Sequence, residues 1–167
     1  MKKLLFSAIA VMAFGFAAQA QDEGGFRVGI HAGMPMGDAG DLYTFNAGAD
    51  VAYTWAVADQ FTAGVTTGYS YFAVEEIDMG PLGSVKVNGA FIPVAATAKY
   101  SLTDSFFVGA DLGYALYSGD GDGDGGVYYQ PKVGYQMEMI DIFASYKGIA
   151  VEGTSISTVG IGAAFKF

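Results

Sequence analysis

The sequence contains no cysteine, a single tryptophan and a single histidine, His31. Without cysteine, the chain is neither a disulfide scaffold nor a lipoprotein. Basic residues are scarce as well: Lys and Arg number 8 against 17 Asp and Glu, for a formal net charge of −9. Recognition of a phosphate backbone needs clustered Lys and Arg, so nucleic acid is excluded as a natural partner. Beyond the first twenty residues, no run approaches the ~18 consecutive apolar residues of a spanning helix. Yet hydrophobic residues make up 52% and charged residues only 15% of the chain. An apolar chain, rich in Gly and aromatics and lacking a helical span, has one remaining way to cross a bilayer, which is a closed barrel.

The N-terminus indicates the compartment. Met1-Lys2-Lys3 is a short basic region, Leu4 to Ala18 is apolar except for Ser7 and Gly15, and Ala18-Gln19-Ala20 is an A-x-A cleavage site. The three regions together make residues 1–20 a secretory signal peptide, the apolar run being too short for a membrane helix. Residues 21–167 are then expected to form one domain.

The clearest signal in that domain runs from Phe91 to Tyr117. Phe106, Val108, Ala110, Leu112, Tyr114 and Leu116 form a wholly apolar face, opposed by Phe107, Gly109, Asp111, Gly113, Ala115 and Tyr117. Ahead of it, Ile92, Val94, Ala96, Ala98 and Tyr100 alternate with Pro93, Ala95, Thr97 and Lys99, and a short polar turn joins the two arms. Period-two alternation marks strands, and each arm has about the ~9–11 residues that a tilted strand needs to cross a bilayer. Aromatics close both ends, with Tyr100 and Phe106 at the turn and Tyr114 and Tyr117 at the far side. This is a membrane hairpin.

The same pattern extends along the chain. Strands are expected at Phe26–Gly33, Phe45–Trp55 and Phe61–Phe72, in the two arms of the hairpin, and at Val127–Met137, Ile142–Gly148 and Ile156–Phe167. The facing of the Ile142–Gly148 strand stays open. Long connections fall at Met34–Thr44, 75–84, 118–126 and Gly148–Ser155, alternating with three short turns. The fold class is therefore all-β, an eight-stranded antiparallel up-and-down transmembrane barrel with both termini on the short-turn, periplasmic side. Pro93 and Pro131 sit in mid-strand, where each removes a ladder donor, so a bulge or irregular pairing is expected there. A barrel of this size is filled by side chains, which accounts for the many small inward positions.

The run Ile92 to Gly119, the signal peptide ahead of it and the closing Ala163-Ala164-Phe165-Lys166-Phe167 resemble the small outer-membrane barrel proteins of the Bacteroidetes, the PorT-like or "outer membrane protein beta-barrel domain" group. The resemblance covers the whole mature chain. It implies the outer membrane of a Gram-negative bacterium, and more about location and fold than about activity. It also implies that Phe165 and Phe167 act as the C-terminal aromatic signal read by the barrel-assembly machinery.

Three features carry candidate chemistry. Asp120, Asp122 and Asp124 alternate with Gly as in the start of a calcium loop, but the twelfth position, where a bidentate Glu belongs, is Pro131. The expected outcome is weak binding of Ca²⁺ or Mg²⁺ and no cofactor otherwise. His31 is expected to face the interior, where Ser70, Ser145 and Asp50 could lie near it, but no spacing singles out a nucleophile, a base and an orienting carboxylate. It is read as part of a hydrogen-bonded plug. Arg27, Asp50, Lys99, Asp111, Lys132 and Lys166 are expected to point inward with both signs, as a charge network, because buried charges must pair or be hydrated. Tyr43, Tyr53, Trp55, Tyr69, Tyr71, Tyr100, Tyr114 and Tyr129 read as interface girdles.

The leading expectation is a non-enzymatic barrel with a structural or surface-interaction role carried by acidic loops. Its partners would be outer-membrane lipid and lipopolysaccharide, the barrel-assembly machinery and an unidentified surface partner. A lipid-modifying enzyme, including a lipid hydrolase, and a narrow porin-like channel are the alternatives. A soluble barrel carrying an apolar ligand is disfavoured because the inward sets read as polar or Gly.

Overall fold

The computed structural model describes residues 24–37, 40, 43–74, 77–78, 84–85, 89–119, 123–151 and 153–167. The expected signal peptide, residues 1–20, lies outside the described residues. The strands are β1 (Gly25–Met36), β2 (Tyr43–Ala58), β3 (Phe61–Val74), β4 (Ile77–Asp78), β5 (Ser84–Val85), β6 (Gly89–Ser101), β7 (Phe106–Tyr117), β8 (Gly126–Gln136), β9 (Ile140–Val151) and β10 (Thr154–Lys166). Eight of them close a barrel in the order β1-β10-β9-β8-β7-β6-β3-β2, while β4 and β5 form a two-stranded ribbon in the connection between β3 and β6. Neighbours are antiparallel throughout, and β1 closes on β10 from Arg27↔Lys166 to Met36↔Ser157. Closure leaves no open edge, so the backbone is satisfied without water.

Alternation sets the two faces. Ile30, Val65, Val94, Leu112, Val133 and Ile161 point outward from six different strands, and each is more than half exposed. An apolar belt running around the whole barrel would be an aggregation surface in water; in a bilayer it is the lipid face. Aromatics rim it. Tyr53 packs edge-on against Trp55, and Phe106 against Tyr135, at the short-turn end. Tyr69, Tyr71 and Tyr114 are exposed near the other end, where Tyr129 lies against Tyr146.

The structure corrects several boundaries. The connection expected at Gly148–Ser155 is only two residues long, because β9 runs to Val151 and β10 starts at Thr154. Its Gly153 has φ +81°, a left-handed conformation that Gly adopts without a Cβ clash. Likewise β1 continues through Pro35 to Met36, which shortens the first connection. Neither mid-strand proline produces a bulge. The β3–β6 pairing stops at Thr67↔Val94 and resumes at Ser70↔Phe91 without a change of register, and the β8–β9 pairing does the same around Pro131, between Tyr129↔Gly148 and Lys132↔Ser145. Each proline keeps its partner on the other side, Pro93↔Ala115 and Ala110↔Pro131. Thr67 Oγ1 donates to the Pro93 carbonyl at 2.8 Å, so a side chain mends the gap.

Tyr43, expected at the lipid interface, turns inward instead, and Tyr117 ends the inward row of β7 beside it. Tyr43 packs on Phe72, with ring centroids 5.3 Å apart, and Tyr117 on Phe91 at 5.4 Å. They cap a cluster of buried apolar side chains inside the barrel, at the end away from the termini: Phe72, Phe91, Ala95, Ala115, Tyr128, Ile149 and Ile156. The interior is thus not uniformly polar. Its extracellular end is a packed apolar plug.

Candidate functional site: a layered lumen

Below the plug, the lumen is built from charge, in two clusters. Nearest the periplasm, Asp141 is the second residue of β9 and its side chain is 3% exposed. Arg27 from β1 and Lys99 from β6 reach Oδ2 at 3.0 and 2.8 Å. Lys166 from β10 brings its Nζ to 3.1 Å of Oδ1 and also donates to the Met137 carbonyl. Three cations therefore converge on one buried carboxylate. Halfway up, Lys132 Nζ and Asp111 Oδ2 pair at 2.6 Å.

The second cluster lies under the plug and is centred on His31. Asp50 Oδ2 stands 2.6 Å from His31 Nδ1, and Lys147 Nζ stands 2.7 Å from Nε2. An ammonium can only donate, so Nε2 accepts from Lys147 and the Nδ1 hydrogen goes to Asp50. Lys147 places its remaining donors on Ser70 Oγ at 2.9 Å and Asn46 Oδ1 at 3.5 Å, so its three hydrogens meet three acceptors. Asn46 Nδ2 donates to Ser70 Oγ at 3.0 Å and to the Tyr71 carbonyl at 2.9 Å. The imidazole fits because the residue facing it is Gly48: a Cβ there would lie 2.6 Å from the ring.

All six charged residues expected inside do point inward, but the structure groups them around residues that the sequence reading did not assign. Arg27, Lys99 and Lys166 meet at Asp141, which belongs to β9 and precedes the strand expected at Ile142–Gly148. Asp50 joins Lys147 through His31, and Lys147 belongs to the strand whose facing stayed open. Only Asp111 and Lys132 pair directly with each other. Of the residues weighed around His31, Ser70 and Asp50 are brought to it; from β9 the contact is Lys147, two positions after Ser145 on the same face. The spacing held a clue. Asp141 and Lys147 are six apart, so in a strand they share a face, and charge on the lipid face is costly.

Chemically, Ser70, His31 and Asp50 have the order of a nucleophile, base and orienting acid, with Ser70 Oγ 3.3 Å from His31 Nε2. Lys147, however, occupies the Nε2 lone pair at the shorter distance, which withdraws the base from Ser70. The loop residue Asp124 is exposed, and Asp120 and Asp122 lie outside the described residues. Phe167 ends the outward row of β10, its N–H bonded to the Phe26 carbonyl at 2.9 Å and its ring 6.3 Å from that of Phe26.

No family model and no curated protein matches the chain. Among solved structures, it is similar to a de novo designed transmembrane β-barrel, at 13% identity over 88% of this chain and 98% of that one, with a TM-score of 0.55. It is also similar to Ail, the attachment invasion locus protein of Yersinia pestis, at 16% identity over 85% of this chain and 96% of that one, with a TM-score of 0.53. The fold is that of an outer-membrane β-barrel. With its apolar belt, aromatic rims and closed wall, the protein resides in the outer membrane.

Proposed function

We propose that the protein is a non-conducting, non-enzymatic barrel whose role is structural or exerted at the cell surface by its acidic connections. The observation that carries this reading is the plug. Phe72, Phe91 and Tyr128 are each 2% exposed or less, and their rings fill the lumen at the extracellular end. A small barrel leaves inward side chains little spare room, and here that room is filled by apolar groups that an ion cannot use. Purified protein in planar bilayers is expected to give no steady conductance. A stable, ion-selective conductance would overturn the reading. Against catalysis stands Lys147 on the base of the only Ser–His–Asp grouping around His31, together with the burial of Ser70 at 1% exposure. Affiliation with the PorT-like barrels of the Bacteroidetes belongs to the same proposal and rests on the Ile92–Gly119 run.

The charge of the connections supports a surface role. Asp38, Asp41, Glu75, Glu76, Asp78, Asp120, Asp122 and Asp124 all fall in the three longer connections, on the side facing lipopolysaccharide phosphates. Like charges repel at such a surface unless divalent cations bridge them. Ail has a crystal structure in complex with the heparin analogue sucrose octasulfate; the acidic connections of the present chain favour a cation-bridged partner over a polysulfated one. Calcium is expected to bind with a dissociation constant of about 10⁻⁴–10⁻³ M, as in low-affinity extracellular sites. Titration of the detergent-folded barrel beside a variant with Asp120, Asp122 and Asp124 all changed to Asn checks this. Identical curves would show that the segment is only a solvated tether.

A further inference from the structure

The periplasmic half of the lumen has a different character from the plugged half. A vestibule of about 300 Å³ opens between Asp104, Gln136 and Glu138, and above it lies a cavity of about 80 Å³ reaching Asp50 and Lys132. Arg27 and Lys99 line both, so the two spaces adjoin. Here Arg27, Lys99 and Lys166 converge on the carboxylate of Asp141, three cations at one anion, inside a chain whose overall charge is strongly negative. A second observation is independent of charge. Thr54 lines the cavity and Thr62 the vestibule, they are 6% and 2% exposed, and among the described residues neither hydroxyl has a hydrogen-bond partner. Thr62 sits directly across from Lys99, and Thr54 pairs with Gly25, two residues before Arg27. Thr62 is thus the cross-strand neighbour of Lys99, and Thr54 shares the cavity wall with Arg27 and Lys99. Leaving a buried donor unmet is costly, so a protein retains such a group where something meets it.

We propose that this half of the lumen is a blind site for a compact oxyanion, a carboxylate or phosphate group, borne by a molecule that enters from the periplasm. Arg27 and Lys99 supply charge-assisted hydrogen bonds and Thr54 and Thr62 the neutral ones. The plug makes the site a dead end, so it binds without conducting. At the rim, Asp104 and Glu138 stand on exposed turns and repel a second negative group, which restricts the remainder of the ligand to neutral or cationic chemistry.

The test uses the ¹⁵N-labelled mature barrel in a phosphate-free detergent, titrated with sodium phosphate or sodium acetate against sodium chloride at matched ionic strength. Saturable amide shifts at Thr54, Thr62 and Lys99 are expected in at least one arm, and the two arms distinguish a phosphate-bearing from a carboxylate-bearing ligand. Lys99→Met is expected to weaken binding about tenfold, the scale of a hydrogen bond to a charged group. Thr54→Val and Thr62→Val are each expected to weaken it several-fold while leaving the empty barrel as stable as before or more so, since they remove an unmet donor. Those two variants keep the test valid even if Lys99→Met folds poorly. If phosphate and acetate both follow the chloride curve, or if the valine variants bind with unchanged affinity, the site holds only solvent and the proposal fails.

Discussion

Replacing Lys147 by Met is expected to lower the unfolding free energy of the barrel by about 3–5 kcal/mol, the cost of stripping one partner from a buried charge cluster. The side chains are nearly the same length, so packing changes little. What changes is hydrogen bonding: His31 Nε2, Ser70 Oγ and Asn46 Oδ1 lose a donor together, and Asp50 loses the cation that reaches it through the imidazole. Lys147 is 3% exposed and lies beneath the plug, so water cannot replace it without opening the apolar layer. That argument puts the loss near the top of the range. The check is the midpoint of denaturant unfolding in lipid vesicles, where a loss below about 1 kcal/mol would mean that the cluster is hydrated.

Asp141→Asn is expected to cost nearly as much, about 3 kcal/mol, at the lower end of the same range. The substitution is isosteric and removes the carboxylate that Arg27, Lys99 and Lys166 share. Those three are 12%, 13% and 24% exposed at their side chains, and they can turn toward the vestibule and its water, which the Lys147 cluster cannot. The loss should therefore shrink as salt screens the repulsion. Replacing a whole pair is a different experiment: Asp111→Leu with Lys132→Met removes both charges at once, and a pair exchanged for apolar groups is often neutral or stabilising. Unfolding midpoints at low and high salt separate the cases; a salt-independent loss in Asp141→Asn would count against the shared-carboxylate reading.

The transmembrane wall was legible in the sequence because lipid imposes one rule on every outward position. From Phe106 to Leu116 the outward row is apolar without interruption, while the inward row carries Asp111 among Gly and Ala, and no other secondary structure satisfies both. That contrast fades where the lumen itself turns apolar. On β9 the inward set mixes Asp141, Ser145 and Lys147 with the apolar Phe143, Ile149 and Val151, while the outward set around Tyr146 carries no charge. Inward rings near the plug mimic an outward girdle, which is why Tyr43 reads as an interface residue. The hubs stayed hidden for a related reason. A pattern of period two assigns faces, but the convergence of Arg27, Lys99 and Lys166 on Asp141 depends on the shear of the closed barrel, which brings together residues far apart in sequence.

The seam between β1 and β10 sets the order in which the barrel can form. Most wall contacts join strands that follow one another along the chain, so hairpins such as β9–β10, with its two-residue turn, can zip locally. Pairing Arg27 with Lys166 instead ties the first strand of the barrel to the last, and by the logarithmic loop rule that closure costs roughly 4 kcal/mol in chain entropy before any contact is made. The His31 and Asp141 clusters both straddle this seam, since Asp50 and Arg27 come from the first two strands and Lys147, Asp141 and Lys166 from the last two. Neither cluster can assemble until the ends meet. The ionic lumen is thus a latch on a cylinder already rolled, drawing its two edges shut from within.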